Sequence, residues 1–367
     1  MLEFAARFWE FLVRRIDRSL FGIVMALVAV GFVTLFSAAD QSLARVGNQL
    51  ASLAVALVAM WVVANIPPQT LARAAVPLYV LAVVLLVGVA LFGVVVNGSR
   101  RWLNLGIARF QPSELMKIAL PLMLAWYFQK FEGRIRWLDF VFAGALIVVP
   151  VYLIKRQPDL GTALLIGAAG FYVLYLAGLS WRVIIGMLVL AAAVGPVVWT
   201  HLHGYQRERI LTFLDPSRDP LGAGYHSMQA SIALGSGGIV GKGWLNGTQT
   251  HLDFLPERHT DFIFAVFGEE FGLIGNTVLL LLYLLLIGRA MVITANASTM
   301  FSRLLSGAIT LMFFTYAFVN MAMVSGLLPV VGVPLPLVSY GGTALISLFI
   351  GLGILMSVQA HRKLVIS

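Results

Sequence analysis

Apolar residues run through this chain in long blocks, with none of the two-residue alternation of a barrel strand. A helix needs about 20 predominantly apolar residues to cross the hydrocarbon core of a bilayer. Ten blocks meet that need: 19–38, 48–66, 75–96, 112–129, 138–154, 160–178, 182–200, 262–287, 304–327 and 338–358. Only the short break "KRQPD" at 155–159 separates the fifth block from the sixth. The first block is too long for a signal-peptide core and lacks a clean cleavage site, so it reads as a retained span. The pattern predicts an all-α, polytopic integral membrane protein. It forms one transmembrane domain over 1–367, with one long extracytoplasmic loop, 201–261. Within that loop Tyr205 to Leu214 has helical spacing, "DPSRDP" is a turn and "SMQASIAL" reads as a short interfacial helix. The loop is expected to fold back on the bundle.

Composition agrees. Hydrophobic residues make up 60% of the chain and charged residues 11%, against about half and a quarter in soluble domains. Mean hydropathy is +0.93. Cysteine is absent, which excludes disulfides, thiol catalysis and cysteine metal sites. The net charge of +9 suits cytoplasmic loops that meet anionic lipid.

Basic residues also orient the chain. With the N-terminus inside, Arg7, Arg14, Arg15, Arg18, Arg73, Lys130, Arg134, Arg136, Arg182, Arg289, Arg303, Arg362 and Lys363 are cytoplasmic. The short outer loops carry only Arg45, Arg100, Arg101, Arg109, Lys155 and Arg156. Both termini are therefore expected in the cytoplasm. The outer cations, joined by Arg207, Arg209, Arg218, Lys242 and Arg258 of the long loop, contact lipid headgroups or hold something anionic.

Carboxylates decide what to make of them. Asp261 stands at the outer lip of the eighth block. On a regular helix Ala265, Gly268, Gly272 and Gly275 fall within about 40° of it. Such a small-residue stripe packs against neighbouring helices, so Asp261 points into the bundle. A simple helix cap is the bland alternative, but Thr260 would cap as well. Glu269 and Glu270 lie about 80° and 180° around the helix from Asp261 and are expected to pair with cations of neighbouring helices. In "RFQPSELMKIALP", Glu114 and Lys117 share a face, with Lys117 roughly 8 Å below the helix start. In "QPDLGTALL", Asp159 opens another outer-facing helix end. One such acid is a cap; three titratable sites at one depth suggest a polar cavity open to the outside. "VGVPLPLVSYGGTALI" enters its helix at Ser339, Tyr340, Gly341 and Gly342, either as a structural kink or as further lining of that cavity. "GSGGIVGKG" misses the phosphate-loop pattern, and the histidines form no metal spacing.

An enzyme acting outside the membrane has no nucleotide triphosphate, so its substrate must carry its own leaving group. A diphosphate-linked lipid sugar does so. An ionised Asp would take the proton of an attacking hydroxyl, and Lys and Arg would stabilise the departing diphosphate. The residues alone do not choose this chemistry over lipid flipping.

The segments "GYQRERILTFLDPSRDPLGAGYH", "GSGGIVGKGWLNGTQTHLDFLPERHTDFIFAVFGEEFG" and "LPVVGVPLPLVSYGGTALI" resemble the SEDS family of peptidoglycan polymerases, as do "RWLNLGIARFQPSELMKIALP" and "QPDLGTALL". The resemblance spans essentially the whole chain. It implies the SEDS fold and polymerisation of lipid II on the outer face of the bacterial inner membrane, with release of undecaprenyl diphosphate. It places the essential acid on Asp261, and the polar cavity on Lys117, Glu114, Asp159, Arg109 and Gln111. Ser339 and Tyr340 are further lining candidates. Asp261 would be general base for the GlcNAc 4-hydroxyl, with Lys117 and Arg109 on the diphosphate. The implied partners are lipid II, the undecaprenyl-linked strand, a monofunctional class B penicillin-binding protein and other elongation-complex membrane proteins, with no nucleic acid. No cofactor is demanded, although a divalent cation, Mg or Mn, can bridge diphosphate and carboxylates. The rival readings are a flippase for lipid-linked precursor and a non-catalytic scaffold.

Overall fold

The computed structural model describes residues 15–96, 99–104, 109–201, 223–251 and 257–362, together with 204, 207 and 211. Ten long helices coincide with the ten apolar blocks. They are α1 (Arg18–Ala38), α2 (Leu43–Ala64), α3 (Pro68–Phe92), α4 (Pro112–Lys130), α5 (Trp137–Lys155), α6 (Leu160–Leu176), α7 (Trp181–His201), α10 (Ile263–Ala295), α11 (Met300–Val324) and α12 (Gly342–Ala360). The long loop contributes α8 (Ala223–Ser236) and the single turn α9 (Thr248–His251). The helix from Tyr205 to Leu214 and the "DPSRDP" turn fall largely outside the described residues. Among the described residues, seven of the long helices are apolar and long enough to cross a membrane. The exceptions are α6 and the apolar part of α7, each under 18 residues, and α4, which carries Glu114, Lys117 and Lys130.

Local signals set the helix starts. Asp17 caps α1 by accepting from Leu20 N at 2.8 Å, and Thr299 caps α11 by accepting from Ser302 N at 3.1 Å. Pro68 and Pro112 open α3 and α4, where a missing N–H costs nothing. The chain between α3 and α4 forms a small antiparallel sheet that hydropathy did not suggest. It comprises β1 (Val94–Val96), β2 (Ser99–Asn104) and β3 (Arg109–Phe110), with Val94 opposite Trp102 and Leu103 opposite Phe110.

The centre of the bundle is α4, α11 and α12; two-thirds of the apolar windows of α11 and α12 are buried, against 17% for α5. In this centre Leu120, Leu124, Phe128, Leu305, Leu352 and Leu355 are fully enclosed. The outer rim, α5 and α7, leaves Val148, Leu188 and Val197 exposed as lipid-facing surface.

The eighth block departs from the expected regular helix. Gly272 has φ +63, ψ −160, which breaks α10 in two. The loop around "GSGGIVGKG" fills the break. Lys242 N donates to Glu269 O at 3.0 Å, Gly243 N to Glu270 O at 3.0 Å, Leu273 N to Gly238 O at 2.9 Å and Ile274 N to Ile239 O at 3.1 Å. The backbone groups freed by the kink are thus paired again inside the protein, as an apolar environment requires. The small-residue stripe serves this close approach: a Cβ on Gly272 would collide with the backbone of Ile239 and Gly241. The segment "SMQASIAL" is helical, as expected, within α8, which packs on α10, and its Ala230 and Ala233 are fully buried.

Candidate active site

Asp261 sits in the turn just ahead of α10, outside the helix. It does not cap that helix: the N-cap is Phe262 and it makes no side-chain cap. Thr260 does not cap either, because its hydroxyl bonds the carbonyl and carboxylate of Glu257. Among the described residues no hydrogen-bond donor reaches the Asp261 carboxylate. Its environment is made by three loops. Gly332, at φ +70, comes so close that a Cβ there would lie 3.3 Å from Asp261 Oδ2. Burial raises the Asp261 carboxyl from 3.8 to about 6, with Glu257 and Asp159 adding to the rise and Arg101 opposing it. An acid in that range is largely ionised at neutral pH and still basic enough to accept a proton.

The backbone holding Asp261 is pinned by polar groups buried for that purpose. Asn320 of α11 donates to Asp261 O and to Val333 O, both at 2.7 Å. Ser339 donates its hydroxyl to Thr260 O at 2.6 Å and accepts from Leu335 N at 2.8 Å. Tyr340 N donates to His259 O at 2.9 Å, and Gln49 bridges Ser339 O and Gly341 N. Arg258 pairs with Asp40 and also donates to Thr250 O. The 328–341 re-entry and the 257–262 turn therefore form one braced unit. Ser339 lies outside α12, and its hydroxyl is engaged in this brace.

Asp159 plays two parts. It caps α6, accepting from Thr162 N at 3.1 Å, and its other oxygen lies 3.5 Å from Arg101. Arg101 also donates to Pro158 O at 2.8 Å. Arg101 is thus the cation placed by Asp159 and felt by Asp261. Arg109 lies on β3 of the same sheet, but its side chain falls outside the described residues. Gln111 is the N-cap residue of α4 and makes no side-chain cap.

Lys117 and Glu114 form the expected pair at 2.6 Å, both buried. Ser347 donates to the second Glu114 oxygen at 2.6 Å, and Lys117 Nζ lies 5.0 Å from the centre of the Tyr316 ring. Tyr316 is in electrostatic contact with Lys117, Glu114 and Asp159, which links the two clusters. Lys117, Tyr316, Ser339 and Tyr340 line a cavity of about 20 Å³. That admits a water and not a diphosphate, so this is a closed arrangement of the Lys117 site. On the other side of Glu114, an apolar groove of about 390 Å³ runs between α2, α3, α4 and α12, from Phe110 and Thr343 to Ile66 and Leu71.

Glu269 and Glu270 are separate from this site. Glu269 pairs with a cation as expected, but Lys242 belongs to the loop and not to a neighbouring helix. Glu270 accepts from the hydroxyl of Ser37 on α1. Among the described residues no three His, Cys, Asp or Glu side chains converge on a metal position. Asp159 lies close enough to Asp261 to raise its pKa, so the two acids are the candidates for a cation shared with substrate phosphates. Asn320 escaped the reading of the sequence, although a lone Asn within an apolar block is itself a signal of intramembrane polar work.

A polytopic helical membrane protein with a half-buried carboxylate on a braced turn, and an apolar groove beside a buried Glu–Lys pair, fits the class of membrane-embedded transferases and transporters of lipid-linked groups. The chain belongs to the FtsW/RodA/SpoVE family of cell cycle proteins, whose sequence profile matches residues 14–364. It is 50% identical over 358 residues to peptidoglycan glycosyltransferase MrdB of Escherichia coli K12, covering 97% of this chain and 96% of that one. It is 38% identical over 350 residues to MrdB of Helicobacter pylori, covering 93% and 89%. The crystal structure of the Thermus thermophilus rod shape determining protein RodA superposes with a TM-score of 0.72 at 31% identity, over 95% of this chain and 97% of that one. A chain from a peptidoglycan synthase complex that coordinates polymerization and crosslinking gives 0.84 at 36% identity, over 95% and 98%.

Proposed function

We propose that this chain is a peptidoglycan glycosyltransferase of the bacterial inner membrane, serving cell elongation and rod shape. It transfers the lipid-linked glycan chain onto the GlcNAc 4-hydroxyl of lipid II at the outer face and releases undecaprenyl diphosphate. The carrying observation is Asp261: half-buried, without a side-chain donor among the described residues, its pKa raised to about 6. Asp261 takes the proton of the acceptor hydroxyl. The freed oxygen attacks the anomeric carbon, the bond from that carbon to diphosphate breaks, and its electrons leave with undecaprenyl diphosphate. Lys117 and Arg101 stabilise the diphosphate charge, with Arg109 as a further cation from the same sheet. Lys117 becomes available when the closed cavity opens and substrate competes with Glu114. The apolar groove beside Glu114 matches the chemistry of a polyprenyl tail, and it brings the tail's polar end toward Lys117. A Mg or Mn ion shared by Asp159, Asp261 and the diphosphate would neutralise charge there.

Names of relatives also support the reading. The two MrdB proteins are named peptidoglycan glycosyltransferases, and the synthase complex couples polymerization to crosslinking. A monofunctional class B penicillin-binding protein is the partner this chemistry needs, since the site described makes strands and has no crosslinking nucleophile of its own. The active site faces the periplasm and both termini the cytoplasm. The test is purified chain with lipid II, wild type against Asp261→Asn, read as glycan length on a gel. Wild type makes a polymer ladder and the variant makes none; equal ladders would end the assignment.

A further inference from the structure

A second cavity lies at the opposite end of the bundle. It holds about 380 Å³ and is lined by Arg73, Lys130, His361, Trp126, Gln129 and Ser302, among others. That volume falls in the range of small-molecule sites, about 300–1,000 Å³. Its position follows from connectivity. Pro68, Lys130, Thr299 and His361 stand at the ends of α3, α4, α11 and α12 opposite to Phe92, Pro112, Val324 and Gly342, the ends nearer the Asp261 turn in the chain's connectivity. The packed core of Leu120, Phe128, Leu305 and Leu352 lies between the two ends. The cavity therefore does not extend the Asp261 site.

Its chemistry is one-signed. Arg73 and Lys130 come from different helices, and among the described residues no carboxylate lines the cavity. Neither forms an ion pair among the described residues. Lys130 Nζ is 5.6 Å from the centre of the Trp126 ring, which holds the ammonium at the cavity wall. Trp side chains favour the headgroup level of a bilayer. Gln129, Ser302 and Thr299 add neutral polar groups, and Val358 and Phe301 close the apolar side. We propose that this cavity binds a phosphate ester, supplied by the headgroup of an anionic phospholipid in the leaflet away from Asp261. Two cations meet the phosphate, Gln129 and Ser302 meet the glycerol oxygens, and the acyl chains leave along the lipid-facing surface. Basic pockets between helices on the cytoplasmic side are suited to such headgroups.

The test is native mass spectrometry of the full chain in neutral detergent. Three probes are titrated: dioctanoyl phosphatidylglycerol, dioctanoyl phosphatidylcholine and inorganic phosphate. One phosphatidylglycerol should be retained in preference to phosphatidylcholine. Arg73→Gln with Lys130→Gln should weaken it roughly thirtyfold, as expected for two basic contacts. Arg73→Lys with Lys130→Arg should retain it. Raising the salt should release phosphatidylglycerol from the wild type, a reading that needs no variant. Equal retention of the two lipids, no effect of the Gln pair, or salt-independent retention overturns the site. Inorganic phosphate displacing phosphatidylglycerol at lower concentration overturns the lipid source.

Discussion

Asp261 and Glu269 lie eight positions apart on one segment, and the protein treats them in opposite ways. Glu269 is fully enclosed and collects Lys242 Nζ at 2.7 Å, Thr248 Oγ1 at 3.3 Å, Gln249 N at 2.9 Å, Thr250 N at 3.1 Å and Thr250 Oγ1 at 2.8 Å. Asp261 receives no donor among the described residues, yet the backbone around it is fixed by Asn320, Ser339 and Gln49. A carboxylate that holds a fold together accumulates donors, because each lone pair buried without one is costly. A carboxylate kept for proton transfer must have capacity left. In this chain the polar partners were spent on the main chain of Asp261 rather than on its side chain.

That contrast can be broken at several points. Asp261→Asn should lower turnover about 10²–10⁴-fold, the contribution of a general base, in a lipid II polymerisation assay. It should not destabilise the protein. The Asp261 pKa rises from 3.8 to about 6 on folding, so the folded state holds the proton more tightly. Folded stability therefore falls as pH climbs from about 4 to about 6, and the Asn variant, free of that cost, should melt higher at neutral pH. Asn320→Ala should cost roughly 10²-fold in turnover by letting the Asp261 backbone shift, with little change in KM. Glu269→Gln should do the reverse: about 3 kcal/mol of stability is lost from the Lys242 pair, while folded enzyme retains its turnover. Gly332→Ala strains a left-handed position by about 1 kcal/mol and presses on Asp261 Oδ2, so a modest loss of both is expected. Ser37→Ala, removing one donor to Glu270, should lower stability by about 1 kcal/mol and leave activity intact. Thermal unfolding and steady-state kinetics on the same preparations separate these outcomes.

What the sequence made legible follows the same division. Seven of the long helices could be read as spans because their apolar blocks are long enough to cross a bilayer, and Asp261 was singled out because a charge at that depth is costly. The break at Gly272 could not. A helical wheel assumes a regular helix, and the compensating bonds come from a loop thirty residues earlier in the chain, roughly, whose glycines look like a failed phosphate loop. For the same reason Lys242 was not recognised as the partner of Glu269. Ser339 and Tyr340 do line the small cavity beside Lys117, but only the fold shows that the Ser339 hydroxyl also bonds the backbone of Thr260 and Leu335. Arg101 and Arg109 are indistinguishable in sequence; the structure pairs Arg101 with Asp159 at the start of α6, and the Arg109 side chain lies outside the described residues.

The pH dependence of lipid II polymerisation by the purified chain tests the central claim most directly. The account predicts kcat/KM rising with unit slope through an apparent pKa of about 6 and levelling above it, with the Asp261→Asn protein folded and without that limb. A wild-type profile flat from about pH 5 to 8, or the same limb in the Asn variant, would contradict it.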